Sequence, residues 1–241
     1  MKPEFAGRTD TGVVRSVNQD GYYIDPEGRF FIVADGMGGH ASGDEASRLA
    51  LEAFQSYFTQ NWDTPEDTPT LIKQGFHAAN QKIVQVQQED PEKADMGTTA
   101  VLVMVREDRW WWANLGDSRL YRFRQGKLEQ LTQDHTLVAR ALATGNLTWE
   151  EAQEHPLRHV LYQCLGRENL GKVDIESFEV SGGDRLLLCS DGLTEEITDA
   201  DLAECCRKRT SCEKLAADAI ARAKERGGSD NITVIFISVA D

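Results

Sequence analysis

Two long amphipathic helical patterns follow one another in this sequence with no strand between them. Ala46, Leu49, Ala50, Ala53, Phe54, Tyr57 and Phe58 fall at helical spacing, and Leu71, Ile72, Phe76, Ala79, Ile83 and Val86 do so again in a helix that follows Thr68, with Pro69 at its first position. A parallel βαβ unit needs a strand after its helix, so this pairing excludes a doubly wound parallel sheet. The strand-like segments instead come in hairpin-linked groups. Residues 5–9, 21–25 and 29–34 precede the helices. TTAVLVMV, RWWWANL and RLYRFRQ follow them, with Gln125-Gly126 as a turn into KLEQLT. VDIESFEV and RLLLCS come next, then helices near 199–208 and 211–226 closed by Gly227-Gly228, and a last buried strand, NITVIFISV. This order predicts an α+β fold, a four-layer α-β-β-α sandwich of two mainly antiparallel sheets flanked by helices.

Residues 134–170 break the pattern, being polar, rich in His and Arg, and cut into short helical pieces, one opened by a Thr148–Glu151 capping box. They read as an insertion on a single domain spanning residues 1–241, a length that buries one sizeable core. A net charge of -14 argues against a nucleic-acid partner. The opening MKPEFAGRTD has no apolar signal core, and no run is long enough to span a bilayer. Five cysteines without a CxxC spacing suit free thiols in a reducing compartment. The expectation is a cytoplasmic monomer with no membrane partner.

Four aspartates sit at strand ends. Asp35 ends FFIVA, Asp117 follows WWWANL, Asp191 ends RLLLCS, and Asp230 opens the final strand. Each alone suits a turn, because Asp-Gly and Gly-Asp are ordinary turn chemistry. Three leave a strand and one enters a strand, and in an antiparallel sheet those ends are neighbours. All four can therefore meet at one rim, where their charges demand a cation. Carboxylate, carbonyl and water oxygens suit Mg2+ or Mn2+ better than zinc. Arg15, in the loop with Asn18-Gln19-Asp20, offers a planar fork for phosphate oxygens, or is a solvated loop residue. Asp20 is a turn cap or a group that orients a metal-bound water. Gly36-Met37-Gly38-Gly39-His40-Ala41 matches the dinucleotide pattern, but a second helix follows and Asp35 would face the pyrophosphate. The glycines instead allow a tight turn and leave the Gly36 carbonyl for a cation.

In order along the chain, RSVNQD, FIVADGMGGH, MGTTA, LGDSRLYR, LLLCSDGL and GGSDNITVI resemble the motifs of the PPM family, the type two C metal-dependent serine/threonine protein phosphatases. The resemblance extends to the short bacterial members, and among them to the cyanobacterial type that dephosphorylates the signalling protein PII. It implies a β-sandwich with a metal centre in the cleft at one end. It implies that Asp35 bridges two metals with the Gly36 carbonyl on one, that Asp191 and Asp230 complete the other, and that Asp117 joins Asp191 at a third. Arg15 would hold the substrate phosphate, and residues 134–170 would be the variable flap. Gln19 and Met37 depart from the animal pattern, which has Glu and His there; the second departure leaves the general acid unassigned.

The expected reaction is hydrolysis of phosphoserine and phosphothreonine by a metal-activated water, without a phosphoenzyme. His40, His135 and His159 are the candidate leaving-group acids, with His159 in the flap, while His77 reads as structural. A two-metal nuclease and a catalytically inactive phosphoprotein-binding module are the competing readings. The acidic charge opposes the first, and the full set of expected ligands opposes the second.

Overall fold

A computed structural model describes residues 3–39 and 42–240. Two antiparallel sheets are stacked face to face. One runs in the order β1 (Glu4–Asp10), β11 (Ile232–Ser238), β10 (Arg185–Cys189), β7 (Arg119–Arg124), β8 (Lys127–Gln130). The other runs β2 (Asp20–Ile24), β3 (Phe30–Met37), β5 (Ala100–Arg106), β6 (Arg109–Leu115), β9 (Asp174–Phe178). A two-residue strand, β4 (Gly97–Thr98), pairs with the end of β3.

The continuous apolar runs follow from burial on both faces of each sheet. Along β3, Phe31 and Val33 point into the space between the sheets, where Val101, Leu188 and Ile235 meet them. Phe30 and Ile32 point outward, under α1 (Ser42–Asn61) and α2 (Thr68–Glu89), against Phe54, Phe58 and Phe76. On the other sheet Leu187, Val234 and Phe236 lie beneath α6 (Asp199–Arg207) and α7 (Cys212–Arg226). Alternate residues thus serve different layers, the period-two rule applied to a strand with no wet face. The four-layer α-β-β-α arrangement expected from the element order is present.

Local details differ from the sequence reading in three places. The β3 strand does not stop at Ala34 but runs through Asp35 and Gly36 to Met37, because Gly97 and Thr98 turn back to pair with it. Asp67, not Thr68, caps α2, accepting from the Thr70 N–H at 2.8 Å. A four-residue helix, α5 (Asp191–Thr194), starts at the aspartate read as a turn. Between residues 134 and 170 lie α3 (Leu137–Ala143) and α4 (Trp149–Gln153), the latter opened by the Thr148–Glu151 capping box. This segment is tied down by bridges from Thr136 to Leu161 and from Thr98 to Leu165. Among the described residues no helix is long and apolar enough to cross a membrane, and all five cysteines are buried free thiols.

Candidate metal centre

Strand polarity delivers the aspartates to one end of the sandwich. Asp20 opens β2 directly opposite Asp35 on β3. Asp117 follows β6, Asp191 follows β10, and Asp230 lies two residues before β11. The backbone of Asp35 is latched by two threonines. Its N–H donates to Thr99 Oγ1 at 3.0 Å, and its carbonyl accepts from Thr98 Oγ1 at 2.8 Å. Thr99 Oγ1 also meets Ser118 Oγ at 2.7 Å, joining the Asp35 strand to the Asp117 loop. Gly36 admits no side chain, since a Cβ there would stand 1.9 Å from the Gly43 carbonyl oxygen. Its N–H donates to Gln19 O at 3.1 Å, which brings the Asn18–Asp20 segment alongside.

Asp20 is buried. Its Oδ2 accepts from Ser190 Oγ at 2.6 Å, while its Oδ1 is buried with no hydrogen-bond partner. Burial raises the Asp20 carboxyl to about 7, with Asp191 adding repulsion. Asp35 is lifted well above the ordinary carboxylate value by burial and then by Asp20, Asp191 and Asp117. Asp117 is lifted by burial and then by Asp191 and Asp134. Asp191 is raised by burial, with Asp230 repelling it and Asp35 partly offsetting the rise. Carboxylates placed this way ionise readily only with positive charge among them. An orphaned buried carboxylate oxygen beside an oxygen-only donor set is what hard divalent cations require, so these residues fit Mg2+ or Mn2+.

Arg15 stands at the same rim but is not free in solvent. Its Nη2 donates to Asp230 Oδ2 at 2.7 Å, and Asp230, Asp191 and Asp35 together raise its pKa.

Residues 13–226 match the family model described as protein phosphatase 2C. The chain belongs to this family. It is 36% identical to the serine/threonine phosphatase stp of Listeria monocytogenes over 98% of this chain and 95% of that protein. Its fold matches the crystal structure of the Mycobacterium tuberculosis serine/threonine phosphatase PstP/Ppp with a TM-score of 0.90, at 33% identity and with both chains fully covered. A structure of the PstP catalytic domain in complex with two manganese ions matches with a TM-score of 0.88, at 33% identity and with 99% of each chain covered.

Within this protein phosphatase 2C framework, several residues shape the rim through contacts that their own sequence surroundings do not indicate. Asn231 Oδ1 accepts from the Gln19 N–H at 2.8 Å, and its Nδ2 donates to the carbonyls of Thr11 and Val17 at 2.9 and 3.0 Å. One buried amide therefore pins the Arg15 loop to the start of β11. Glu196 Oε1 accepts from Ser229 N–H and Oγ at 2.9 and 2.6 Å, tying α5, with Asp191 at its start, to the loop that carries Asp230. These contacts span long stretches of sequence, so no local pattern announces them.

The histidines separate. His135 is buried: its Nδ1 accepts the Gly116 N–H at 3.1 Å and its Nε2 reaches Asp174 Oδ2 at 3.1 Å. Both ring nitrogens are used to shape the turn before Asp117, so His135 is not placed to serve as an acid. His40 lies outside the described residues. His159 is exposed on the flap, with Nδ1 2.8 Å from Glu195 Oε1. His159, Asp191 and Glu195 each offer an atom, and these atoms all lie within 4.8 Å of one another. Glu195 was not singled out by the sequence; burial, then Asp191 and Asp230, push its carboxyl to about 7. A groove of about 1040 Å3 is lined by Asp117 and Asp191 together with residues of the 134–170 segment and of α5 and α6.

Proposed function

We propose that this protein hydrolyses phosphoserine and phosphothreonine in proteins, using two Mg2+ or Mn2+ ions at the aspartate rim and a third beside Asp117 and Asp191. One observation carries the reading. Carboxylates from separate strand ends converge, are pushed toward protonation by burial and mutual repulsion, and stand beside an arginine. In this proposal Asp35, the Gly36 carbonyl, Asp191 and Asp230 would hold the two ions.

When bound, the ions supply positive charge that makes a water nucleophilic near neutral pH and polarises the phosphoryl oxygens. The chain's own groups do the rest. Arg15 exchanges its hold on Asp230 for two phosphoryl oxygens, fixing the ester in line. Asp20, held through Oδ2 by Ser190, turns Oδ1 toward the attacking water and orients it. His159, with Nδ1 on Glu195, has Nε2 to protonate the leaving oxygen. Loss of phosphoserine-peptide turnover in His159→Ala, with phenyl phosphate turnover retained, supports that role, because a good leaving group needs no acid.

We place the reaction in one catalytic domain, residues 1–241 with a flap at about 134–170, acting as a cytoplasmic monomer. The buried free thiols support a reducing compartment. We further propose phosphorylated PII as a substrate, supported by the chain's overall resemblance to the short cyanobacterial type. Unchanged phospho-PII in cells lacking this protein would remove that assignment. The decisive test of the activity is Mn2+-dependent phosphate release from a phosphopeptide. Asp35→Ala and Asp191→Ala should each fall to about a hundredth of wild type or less; full activity in either overturns the reading.

A further inference from the structure

The groove beneath the flap starts at the catalytic rim and is chemically two-sided. Its near end is lined by Asp117 and Asp191. Leu142 and Ala143 of α3 and Trp149 of α4 supply an apolar part of its lining. Trp149 is 61% exposed, although the Thr148–Glu151 capping box fixes the helix turn that carries it. An indole held in place and left in water is a large unburied contact surface. The same lining includes Glu195 and Glu196 from the link between α5 and α6, and Asp199 from the first turn of α6.

Charge in the groove is unbalanced. Arg119 is consumed by Asp134, whose two oxygens it holds at 3.0 and 2.7 Å. Beyond that pair and the metal rim, the lining carries Glu195 paired with His159, Glu196 with Oε1 held by Ser229, and Asp199 with no ion pair among the described residues, against the single arginine Arg158. A strip of excess negative charge beside an apolar wall selects a ligand with a cation next to a bulky apolar group.

We propose that this groove docks the substrate segment flanking the phosphorylated residue, and that it takes a segment carrying a lysine or arginine and a large apolar side chain. The proposal rests on the phosphatase reading and deepens it. A protein substrate whose phosphate sits at the Asp35–Asp191 rim must lead its flanking chain away from that rim, and the groove is continuous with it. The apolar residue packs on Trp149 and Leu142, and the cation lies against Asp199 on the side of Glu196. A small aryl phosphate ends at the rim and gains nothing from the groove.

The test uses the full chain with Mn2+ and three substrates: p-nitrophenyl phosphate, a phosphothreonine peptide with Lys and Leu flanks on both sides, and the same peptide with Glu for Lys. Wild type should favour the Lys peptide over the Glu peptide by about tenfold in kcat/KM. Trp149→Ala should raise KM for the Lys peptide by about tenfold and leave the aryl phosphate unchanged. Asp199→Asn, at an exposed position, should narrow the Lys-over-Glu preference without touching the aryl phosphate. It carries the charge half of the test should the tryptophan variant disturb the flap. If wild type releases no phosphate from any substrate, the phosphatase reading falls. If wild type is active but KM ignores both flanks and Trp149→Ala, the groove proposal alone falls. A Trp149→Ala protein that changes only its sedimentation, from dimer to monomer, marks the groove as a self-association face and equally overturns the proposal.

Discussion

Arg15 and Asp230 are partnered across the rim at 2.7 Å, so the arginine expected to hold phosphate occupies an aspartate expected to hold a metal ion. The side chain of Arg15 is 54% exposed, which leaves it free to swing toward an incoming phosphoryl group. Arg15→Ala should raise KM for aryl phosphate roughly 10- to 100-fold, the worth of a lost charge-assisted pair. Mn2+ affinity, read by calorimetry, should not weaken, because the competitor for Asp230 is gone. A variant with unchanged KM and weakened Mn2+ binding would assign Arg15 to holding Asp230 instead.

The raised carboxyls make stability depend on pH in a direction opposite to that of most acidic groups. Asp20 sits at about 7 and Asp35 and Asp117 well above the ordinary 3.8. In the fold these groups keep protons that the unfolded chain has already released, so metal-free stability falls as pH rises from about 4 through 7. The metal-free Tm should be lower at pH 8 than at pH 6. Saturating Mn2+ should raise Tm most at pH 8, and its binding heat should change with buffer because protons leave. A metal-free Tm indifferent to pH, with buffer-independent heats, would contradict this picture.

Asp35→Asn separates stability from metal binding. Removing a buried repelled charge should raise the metal-free Tm at pH 8, while the Mn2+-induced rise in Tm is lost. Destabilisation without metal would show that Asp35 is held by contacts other than those described.

Glu196 is a clasp between α5 and the Asp230 loop. Without it the two aspartates at its ends lose their fixed spacing. Glu196→Ala should weaken Mn2+ binding by about tenfold, the usual scale for removing a group that orients ligands. Glu196→Gln keeps an acceptor oxygen for Ser229 and should recover most of the affinity. Equal Mn2+ affinity in all three proteins would reduce Glu196 to a surface contact.

Gly116 has φ +120°, and a Cβ would lie 2.6 Å from Thr99 Cβ. Gly116→Ala should cost about 1–3 kcal/mol of stability, with the Asp117 loop displaced. Chemical denaturation checks the first, and an unchanged midpoint would refute the strain.

The strands and helices were legible because burial leaves a periodic record. Phe31 and Val33 against Phe30 and Ile32 show it, and so does the Thr148–Glu151 box. The aspartate rim was legible through strand polarity, since the end of an antiparallel strand fixes where its side chains arrive. The contacts of Asn231, Glu196 and Glu195 were not. Their partners lie 212, 33 and 36 residues away, Asn231 with Gln19, Glu196 with Ser229 and Glu195 with His159. His135 misled for the same reason, because a ring buried between Gly116 and Asp174 looks in sequence like any histidine in a polar segment. β4 was hidden because two residues carry no period.

The strand β11 is the middle partner of β1 and β10, pairing Glu4 with Ser238 and Leu187 with Phe236. Asp230 and the Asn231 clamp stand at its start. On the ribosome, then, both β1 and β10 are made before β11 can slot between them. Such distant pairing makes folding slow. Until then the nascent chain carries an open gap between β1 and β10, and the aspartate rim lacks Asp230.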